Sequence, residues 1–309
     1  KEEYLNSIKQ LKEAVNAEAA IEAVKGIQTV QKSLETQGTL VSIRNSIDTR
    51  DVFYEEESSF WDESSPVIEE WQNNYYQAIL TSTYKAELTA YVSEPFIKMA
   101  ENSMKVFDAK IIPLLQTENK LSTEYSKLLA SAQIEYKGET YNLAGLAAFQ
   151  QSTDREERKT VTALISNYMS ENLETLDRIY DDLVKTRHQI ALDLGFNDFV
   201  EVGYLRMNRL DYDRKDVEVY REEVLKYVVP LANDIYQRQA KRIGVADMKH
   251  YDLPLEYEDG NATPIGTPEE ILQSGVKMYH ELSPETGEFI DFMVEKDLLD
   301  LVTKPGKLG

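Results

Sequence analysis

The amino-acid sequence predicts an all-α protein, a large multi-helix assembly with one small β-hairpin near residues 132–141. Three observations predict this fold class. Apolar residues recur at steps of three and four along most of the 309 residues. Side chains that cap helix starts precede several of these stretches. Only one short segment alternates with the two-residue period of a strand.

Residues 173–194 show the helical pattern best. Leu176, Ile179 and Leu183 fall on one face, charged residues fill the opposite face, and Gly195 follows where a C-terminal cap belongs. The same periodicity predicts further helices over about residues 3–36, 40–60, 66–82, 95–131, 154–170, 213–243, 268–282 and 285–301.

Capping residues mark three of these helix starts. Thr153, Thr267 and Ser283 each precede acidic residues of a first turn, and Pro268 and Pro284 stand at the first helical position of the last two. These helices should therefore begin directly after their capping residues.

Two segments interrupt the helical pattern. Residues 132–141 alternate about Lys137-Gly138, which is typical of a β-hairpin. Residues 250–267 are rich in Pro, Gly, Asn and Asp and predict a long loop, with a short extended piece at Asp252–Tyr257. A change in composition near Gln150–Asp154 is the best candidate for a domain boundary.

Composition excludes several classes of protein. No run approaches the roughly 18 apolar residues of a membrane helix, so no membrane partner is expected. The first residues, Lys1-Glu2-Glu3-Tyr4, lack the apolar core of a secretion signal and do not begin with Met, so we expect the natural start to be missing. The absence of cysteine excludes disulfides and thiolate metal sites. Together these features predict a cytoplasmic protein.

The net charge is −21, from 34 basic and 55 acidic residues. Such a surface repels a polyanionic backbone, so we expect no nucleic-acid partner. The excess is uneven, because residues 51–100 carry 10 acidic and 2 basic groups and residues 251–309 carry 13 and 4. These regions could attract cationic ligands, although solubility is the more ordinary role of a charged surface.

The three histidines do not form a recognisable metal motif. His280-Glu281 begins like a His-Glu-x-x-His zinc helix, but Pro284 stands where the second ligand would be. His188 fits the polar face of its helix, and His250 begins the irregular loop. We therefore predict no metal ligand in this chain.

Other catalytic signatures are missing as well. The sequence has no Gly-x-Ser-x-Gly elbow, phosphate loop or dinucleotide fingerprint. Carboxylate pairs such as Asp181-Asp182 and Glu222-Glu223 are expected by chance among 55 acids and fit a solvated helix face better than an acid–base pair. Motifs thus identify no catalytic residue, and the substrate-binding residues stay unknown.

Four segments resemble one enzyme family. Arg44–Glu57 is similar to a family pattern R-x-x-I-D-T-x-D-x-F-Y-x-E-E, and Leu194–Tyr212 is the most specific match. Glu118–Gln133 and Leu282–Lys307 contain the other two. Through these segments the chain resembles the amino-terminal part of an oligoendopeptidase F, or PZ-peptidase, among the thimet-oligopeptidase-like zinc metallopeptidases.

The resemblance implies a domain organisation. Residues 1–150 would form an N-terminal helical domain, and residues 151–309 the first part of the helical catalytic domain, ending before the zinc-binding motif. In the family that motif follows the segment matching Lys304–Gly309, and no zinc ligand or general base carries over to a position here. The resemblance covers essentially the whole chain but about half of a typical family member.

The resemblance also implies a function. The parent enzyme would use Zn²⁺ to hydrolyse short oligopeptides in a deep closed cleft that excludes folded proteins, and this chain would form one wall of it. The chain alone should bind no zinc and be inactive. The acidic regions could line the cleft and favour cationic peptides, which charge reversal at Glu55–Glu57 would test.

Two other interpretations remain open at this stage. The chain could be a non-catalytic helical scaffold that binds peptides, or an interaction module whose family resemblance is only ancestral. Amphipathic helices bury their apolar faces equally well within one chain and between chains. The oligomeric state is therefore unknown from the sequence.

Overall fold

The computed structural model describes residues 1–308, and its regular structure is almost entirely helical, as the sequence predicts. The helices are α1 (Glu2–Lys12), α2 (Ala17–Ile47), α3 (Val52–Leu80), α4 (Lys85–Val92), α5 (Glu94–Lys105), α6 (Ile112–Ala130), α7 (Ala147–Gln150), α8 (Arg155–Glu171), α9 (Leu173–Asp193), α10 (Phe199–Arg206), α11 (Arg214–Glu223), α12 (Val229–Arg242), α13 (Pro268–Leu282) and α14 (Pro284–Glu295). The strands are β1 (Ile134–Tyr136) and β2 (Glu139–Tyr141). A π-helical turn at Val224–Val228 joins α11 to α12, and short 3₁₀ turns lie at Ala109–Ile111 and His250–Asp252.

Local side-chain caps decide where the first helices begin. Asn16 Oδ1 accepts a hydrogen bond from Ala19 N at 2.8 Å, and Asp51 Oδ1 accepts one from Tyr54 N at 3.2 Å. The sequence predicts helices over residues 3–36 and 40–60, and this division is wrong. The helix breaks lie at residues 13–16 and 48–51, directly before the starts of α2 and α3. Pro66 lies inside α3 and does not begin a helix.

Two of the three predicted caps are confirmed, and the third, Thr153, is wrong, because α8 begins at Arg155 and Asp154 Oδ1 accepts the hydrogen bond from Glu156 N at 3.0 Å. Thr267 and Ser283 each form a capping box at the start of α13 and α14. Gly195 ends α9 with a φ of 89°. The predicted helix over residues 95–131 is instead divided into α5 and α6.

The predicted hairpin is confirmed. β1 and β2 pair antiparallel with Ile134 opposite Tyr141. Lys137 and Gly138 form its turn with φ of 52° and 85°, and two positive φ values are the mark of a type I′ turn. The extended piece expected at Asp252–Tyr257 is not found among the described residues, since this part of the loop holds a 3₁₀ turn followed by irregular chain.

The described chain divides into two compact units that interleave along the sequence. The first contains Lys1–Ser131, Met169–Leu231 and Gly306–Leu308, and the second contains Ala132–Tyr168 and Ala232–Pro305. The domain boundary expected near residue 150 stays a prediction.

The first unit has its largest apolar core among α1 to α5. Residues three and four apart on α1 and α2 become fully buried there, as in Tyr4 and Ile8 of α1 and Val24 and Ile27 of α2. Smaller clusters join α9 to α10 and to the start of α6. The first unit is thus held by one large apolar core and two smaller clusters.

The second unit buries a charged group beside its small core. Asp252, with 0% of its side chain exposed, accepts hydrogen bonds from Arg158 Nη2 at 2.7 Å and Arg155 Nη2 at 2.8 Å. Its Oδ2 also accepts one from Lys249 N at 2.9 Å. Burial alone would raise the pKa of Asp252, but the hydrogen bonds from Arg155, Lys249 N and Arg158 outweigh it and lower the pKa well below its usual value.

We predict that Asp252→Asn destabilises the second unit by about 3 kcal/mol, because Arg158 loses its only carboxylate partner among the described contacts while it stays buried. The measurement is the free energy of unfolding in urea, followed by circular dichroism. Asp247→Asn is the control, since the Asp247 carboxylate is mostly exposed and pairs with Lys249 on the surface.

The same group predicts a pH dependence. Because the folded pKa of Asp252 is depressed, its stabilisation is fully present above 3.8, the usual pKa of an aspartate, and is lost as the pH falls toward the folded pKa. Acid titration of the Asn variant should therefore show a shallower loss of stability below about pH 4. An unchanged slope would contradict the assigned role of Asp252.

Candidate functional site

The histidines lie on the surface, apart from any metal cluster. His188 is exposed on α9, as predicted, and His250 is exposed in the 3₁₀ turn. His280 Nε2 lies 2.9 Å from Asp291 Oδ1, and Pro284 begins α14. Within residues 1–308, no three His, Asp or Glu side chains are grouped so as to hold a metal ion.

The carboxylate pairs singled out in the sequence are solvated. Asp181 pairs with Lys185 and Asp182 with Arg178, each one turn away on α9. Glu222 and Glu223 are exposed on α11. These groups have the environment of an ordinary helix surface, and the structure gives them no acid–base geometry.

Residues from three of the four segments that carry the family resemblance contact one another in the first unit. Thr49, between α2 and α3, donates from both its backbone N and its Oγ1 to Gly306 O, each at 2.8 Å. Gly306 N donates to Ala130 O at 3.2 Å, and Leu308 N donates to Ser46 O at 2.8 Å. We call this set of contacts the Gly306 latch. Counted along the chain, the latch joins the first of the four resembling segments (Arg44–Glu57), the second (Glu118–Gln133) and the last (Leu282–Lys307).

Only glycine fits at the centre of the latch. The φ of Gly306 is 85°, a conformation that other residues rarely adopt. A Cβ placed there would lie 2.5 Å from Arg50 Nε and 2.8 Å from Asp48 Oδ1, and those two side chains hold each other through a bond of 2.8 Å. The Asp-Thr-Arg sequence therefore forms a tight seat for this glycine.

A polar pocket of about 330 Å³ lies beside the latch. It is lined by α2, α3 and α6, and Leu308 closes one side. The lining is unusually rich in hydroxyl and amide groups: Ser42, Asn45, Ser46, Thr49, Ser58, Asn119, Ser122, Thr123 and Ser126. Trp61 supplies an aromatic surface, and Asp62 and Lys127 supply the charges.

A partly buried ion cluster joins the third resembling segment along the chain, Leu194–Tyr212, to the second, Glu118–Gln133. Glu118 on α6, only 5% exposed, accepts from Arg187 Nε at 2.7 Å and from Arg206 Nη1 at 3.0 Å. Burial raises the pKa of the nearby Glu69, and the positive charge of Arg206 opposes that rise. The cluster thus holds α6, α9 and α10 in register.

An apolar cavity of about 570 Å³ lies at the end of that third segment. Tyr204, Tyr212 and Tyr220 line it, together with Met207 and Val217. Arg209 and Asp216 complete the wall, and the Arg209 guanidinium lies 5.1 Å from the ring centre of Tyr212. A cavity of this size and composition could accept an apolar or aromatic side chain.

Sequence motifs identified none of these sites. The latch, the polar pocket and the Glu118 cluster depend on residues far apart in the chain, and the apolar cavity is formed by neighbouring residues that match no known motif. The signal that could have found them was the family resemblance. Asp48–Arg50, Glu118, Arg206 and Gly306 all lie inside the four resembling segments.

Comparison with known proteins explains this concentration. Residues 1–107 match the model of the peptidase M3 N-terminal domain. A solved chain described as an oligoendopeptidase F from Bacillus anthracis str. Ames is 42% identical over 100% of this chain, with a TM-score of 0.96. Residues 1–107 are thus similar to a domain of the peptidase M3 family, and the resemblance to oligoendopeptidase F is confirmed along the whole chain. A PZ peptidase A solved with an inhibitor is 40% identical over 99% of this chain, with a TM-score of 0.97.

These solved relatives are longer than this chain. It spans 57% of the Bacillus anthracis chain and 55% of PZ peptidase A. A further structure described as an oligoendopeptidase F is 41% identical with a TM-score of 0.97, and 54% of it is covered. The comparison with curated proteins returned no match. No helix within residues 1–308 has the length and apolar character needed to span a membrane.

We predict that Gly306→Ala destabilises the first unit by about 2 kcal/mol more than Gly195→Ala does. Both glycines have a φ between 85° and 89°, but a Cβ at Gly195 meets no atom within 4 Å. The difference therefore isolates the overpacking against Arg50 and Asp48. Unfolding in urea, followed by the fluorescence of Trp61 and Trp71 in the same unit, gives both values, and equal costs would mean that the latch tolerates a side chain.

Proposed function

We propose that this chain is the amino-terminal part of a cytoplasmic zinc metalloendopeptidase that hydrolyses short oligopeptides in a deep cleft. The observation that carries the proposal is similarity at 40–42% identity along the whole chain to oligoendopeptidase F and PZ peptidase A structures. The chain corresponds to only 54–57% of their length, which leaves room for catalytic residues outside it.

The residues of this chain do not fit a catalytic zinc site. The sequence lacks His-Glu-x-x-His, and residues 1–308 contain no suitable group of three ligands. We therefore assign metal binding and water activation to the further polypeptide that the longer relatives possess, and none of these steps to the present residues.

This chain would supply a wall of the peptide-binding cleft. Neither α11 in the first unit nor α13 in the second buries a residue fully. In the first unit Tyr220 of α11 and Tyr227 of the following π-helical turn are exposed, and in the second unit Met278 and Leu282 of α13 are exposed. Exposed apolar surface of this extent is typical of an interaction site or of a face that further chain covers. Short peptides are the proposed partners, and the strongly acidic surface disfavours nucleic acid.

The test is cleavage of a short quenched-fluorescent peptide by two proteins, the 309-residue chain and a chain extended to the length of its relatives. We expect turnover by the extended chain that a chelator abolishes and zinc restores. The 309-residue chain should show none. Its intact mass of 35.5 kDa must be confirmed in the same sample.

Chelator-sensitive turnover by the 309-residue chain at that mass would contradict the proposal, because the catalytic site would then lie within it. A second candidate, a peptide-binding scaffold without turnover, is favoured by the apolar cavity around Tyr204, Tyr212 and Tyr220. It would be preferred if the extended chain binds the peptide but does not cleave it.

A further inference from the structure

Most of the hydroxyl groups that line the polar pocket beside the latch already donate their hydrogen within the protein, so the lining has more free acceptors than its composition suggests. Each hydroxyl group has a single hydrogen to donate. Five of the lining hydroxyls donate that hydrogen within the first unit, at distances of 2.7–3.0 Å. The donors are Ser46, Thr49, Ser122, Thr123 and Ser126. Their oxygens keep lone pairs with which to accept.

The two lining amides add to this imbalance. Asn119 Nδ2 donates to Asp62 O at 3.0 Å and to Ser65 Oγ at 3.2 Å, so its Oδ1 is the atom left to accept. Asn45 is 8% exposed, and its Oδ1 is buried without a hydrogen-bond partner in the structure. A buried carbonyl without a partner costs free energy, so a donor from a ligand would be favoured there.

The charges of the pocket leave one carboxylate without a cation. Lys127 Nζ lies 2.6 Å from Glu55 Oε1, which neutralises the positive charge of Lys127. Asp62 accepts from the Thr123 hydroxyl through Oδ2 at 2.7 Å and has no ion pair within the described residues. Asp62, Lys127 and its partner Glu55 together therefore carry one net negative charge, and Asp62 is the charge without an ion-pair partner.

We propose that this pocket binds a guanidinium group, such as that of an arginine side chain. A guanidinium has five donors, no acceptor and a permanent positive charge, and it therefore complements the lining. Its plane can stack on the ring of Trp61, which a compact and strongly hydrated ammonium does less well. The volume of about 330 Å³ is at the small end of ligand pockets and fits one side chain.

This inference does not depend on peptidase activity. It concerns residues of α2, α3 and α6 and the latch, all of them within the first unit. Failure of the cleavage assay would leave it untouched, and its own failure would leave the proposed function untouched.

The experiment titrates the 309-residue chain with N-acetyl-arginine amide and follows the two tryptophan indole signals by ¹H–¹⁵N NMR. Trp61 lines the pocket, while Trp71 packs on the core of α1 to α5 and serves as an internal reference. Trp61→Phe assigns the signals. We expect the Trp61 signal alone to shift and to saturate.

Two matched probes test the chemistry. N-acetyl-citrulline amide has nearly the same shape but replaces the charged group with a neutral one that carries a carbonyl. Nα-acetyl-lysine amide keeps the positive charge but lacks the planar guanidinium group. We expect the arginine probe to bind about tenfold more tightly than either. Equal binding of the lysine probe would overturn the assignment to guanidinium, and equal binding of citrulline would overturn the role of charge.

Two variants locate the site. Asp62→Asn should weaken binding of the arginine probe about tenfold, because it removes the unpaired charge and keeps an acceptor for Thr123. Glu63→Gln is the control, since Glu63 is the next carboxylate on α3 and pairs with Lys120. The proposal fails if Asp62→Asn, shown to be folded by circular dichroism, binds as the unchanged chain does. It also fails if no Trp61 shift occurs at saturating probe.

Discussion

The close approach of Gly306 to the junction of α2 and α3 is the constraint on which the first unit depends. The hydrogen bonds from Thr49 span 257 residues of sequence, so they close a loop that contains most of the chain. The entropy of closing a loop grows only slowly with its length, which makes such a distant contact feasible. A few backbone bonds suffice because the seat formed by Asp48 and Arg50 is held together by its own ion pair.

A second contact fixes the same stretch of chain from within the second unit. Asn142 Nδ2 donates to Lys304 O and to Thr303 Oγ1, both at 2.9 Å, while Asn142 Oδ1 accepts from Gly145 N. The segment from Thr303 to Leu308 has no regular secondary structure, and its conformation is therefore determined by these distant side chains. This explains why a family resemblance can concentrate in loops and isolated residues as well as in cores.

The fold could be predicted from the sequence because it rests on local signals. Helical periodicity, the caps at Thr267 and Ser283, and the alternation about Lys137-Gly138 each act within a few residues. The errors in helix boundaries have local causes too, since the Asn16 and Asp51 caps outweighed a continuous apolar pattern, and Pro66 was accommodated inside α3. The latch and the Asp252 cluster could not be predicted, because each joins residues about a hundred or more positions apart.

The chemistry of the polar pocket follows from the helices that surround it. Serine and threonine on a helix commonly donate to the carbonyl one turn earlier, as Ser122 and Ser126 do on α6. A pocket lined by several such residues therefore offers mainly oxygen lone pairs, which accept hydrogen bonds. Its amino-acid composition alone would suggest similar numbers of donors and acceptors. The acidic composition is less informative, because most of the ion pairs that its carboxylates form lie on the surface, where such pairs contribute little to stability. Three carboxylates differ from this pattern: Glu118 and Asp252 are buried with arginine partners, and Asp62 has no ion pair within the described residues. These carboxylates, and not the acidic composition as a whole, give the two units their specific electrostatic contacts.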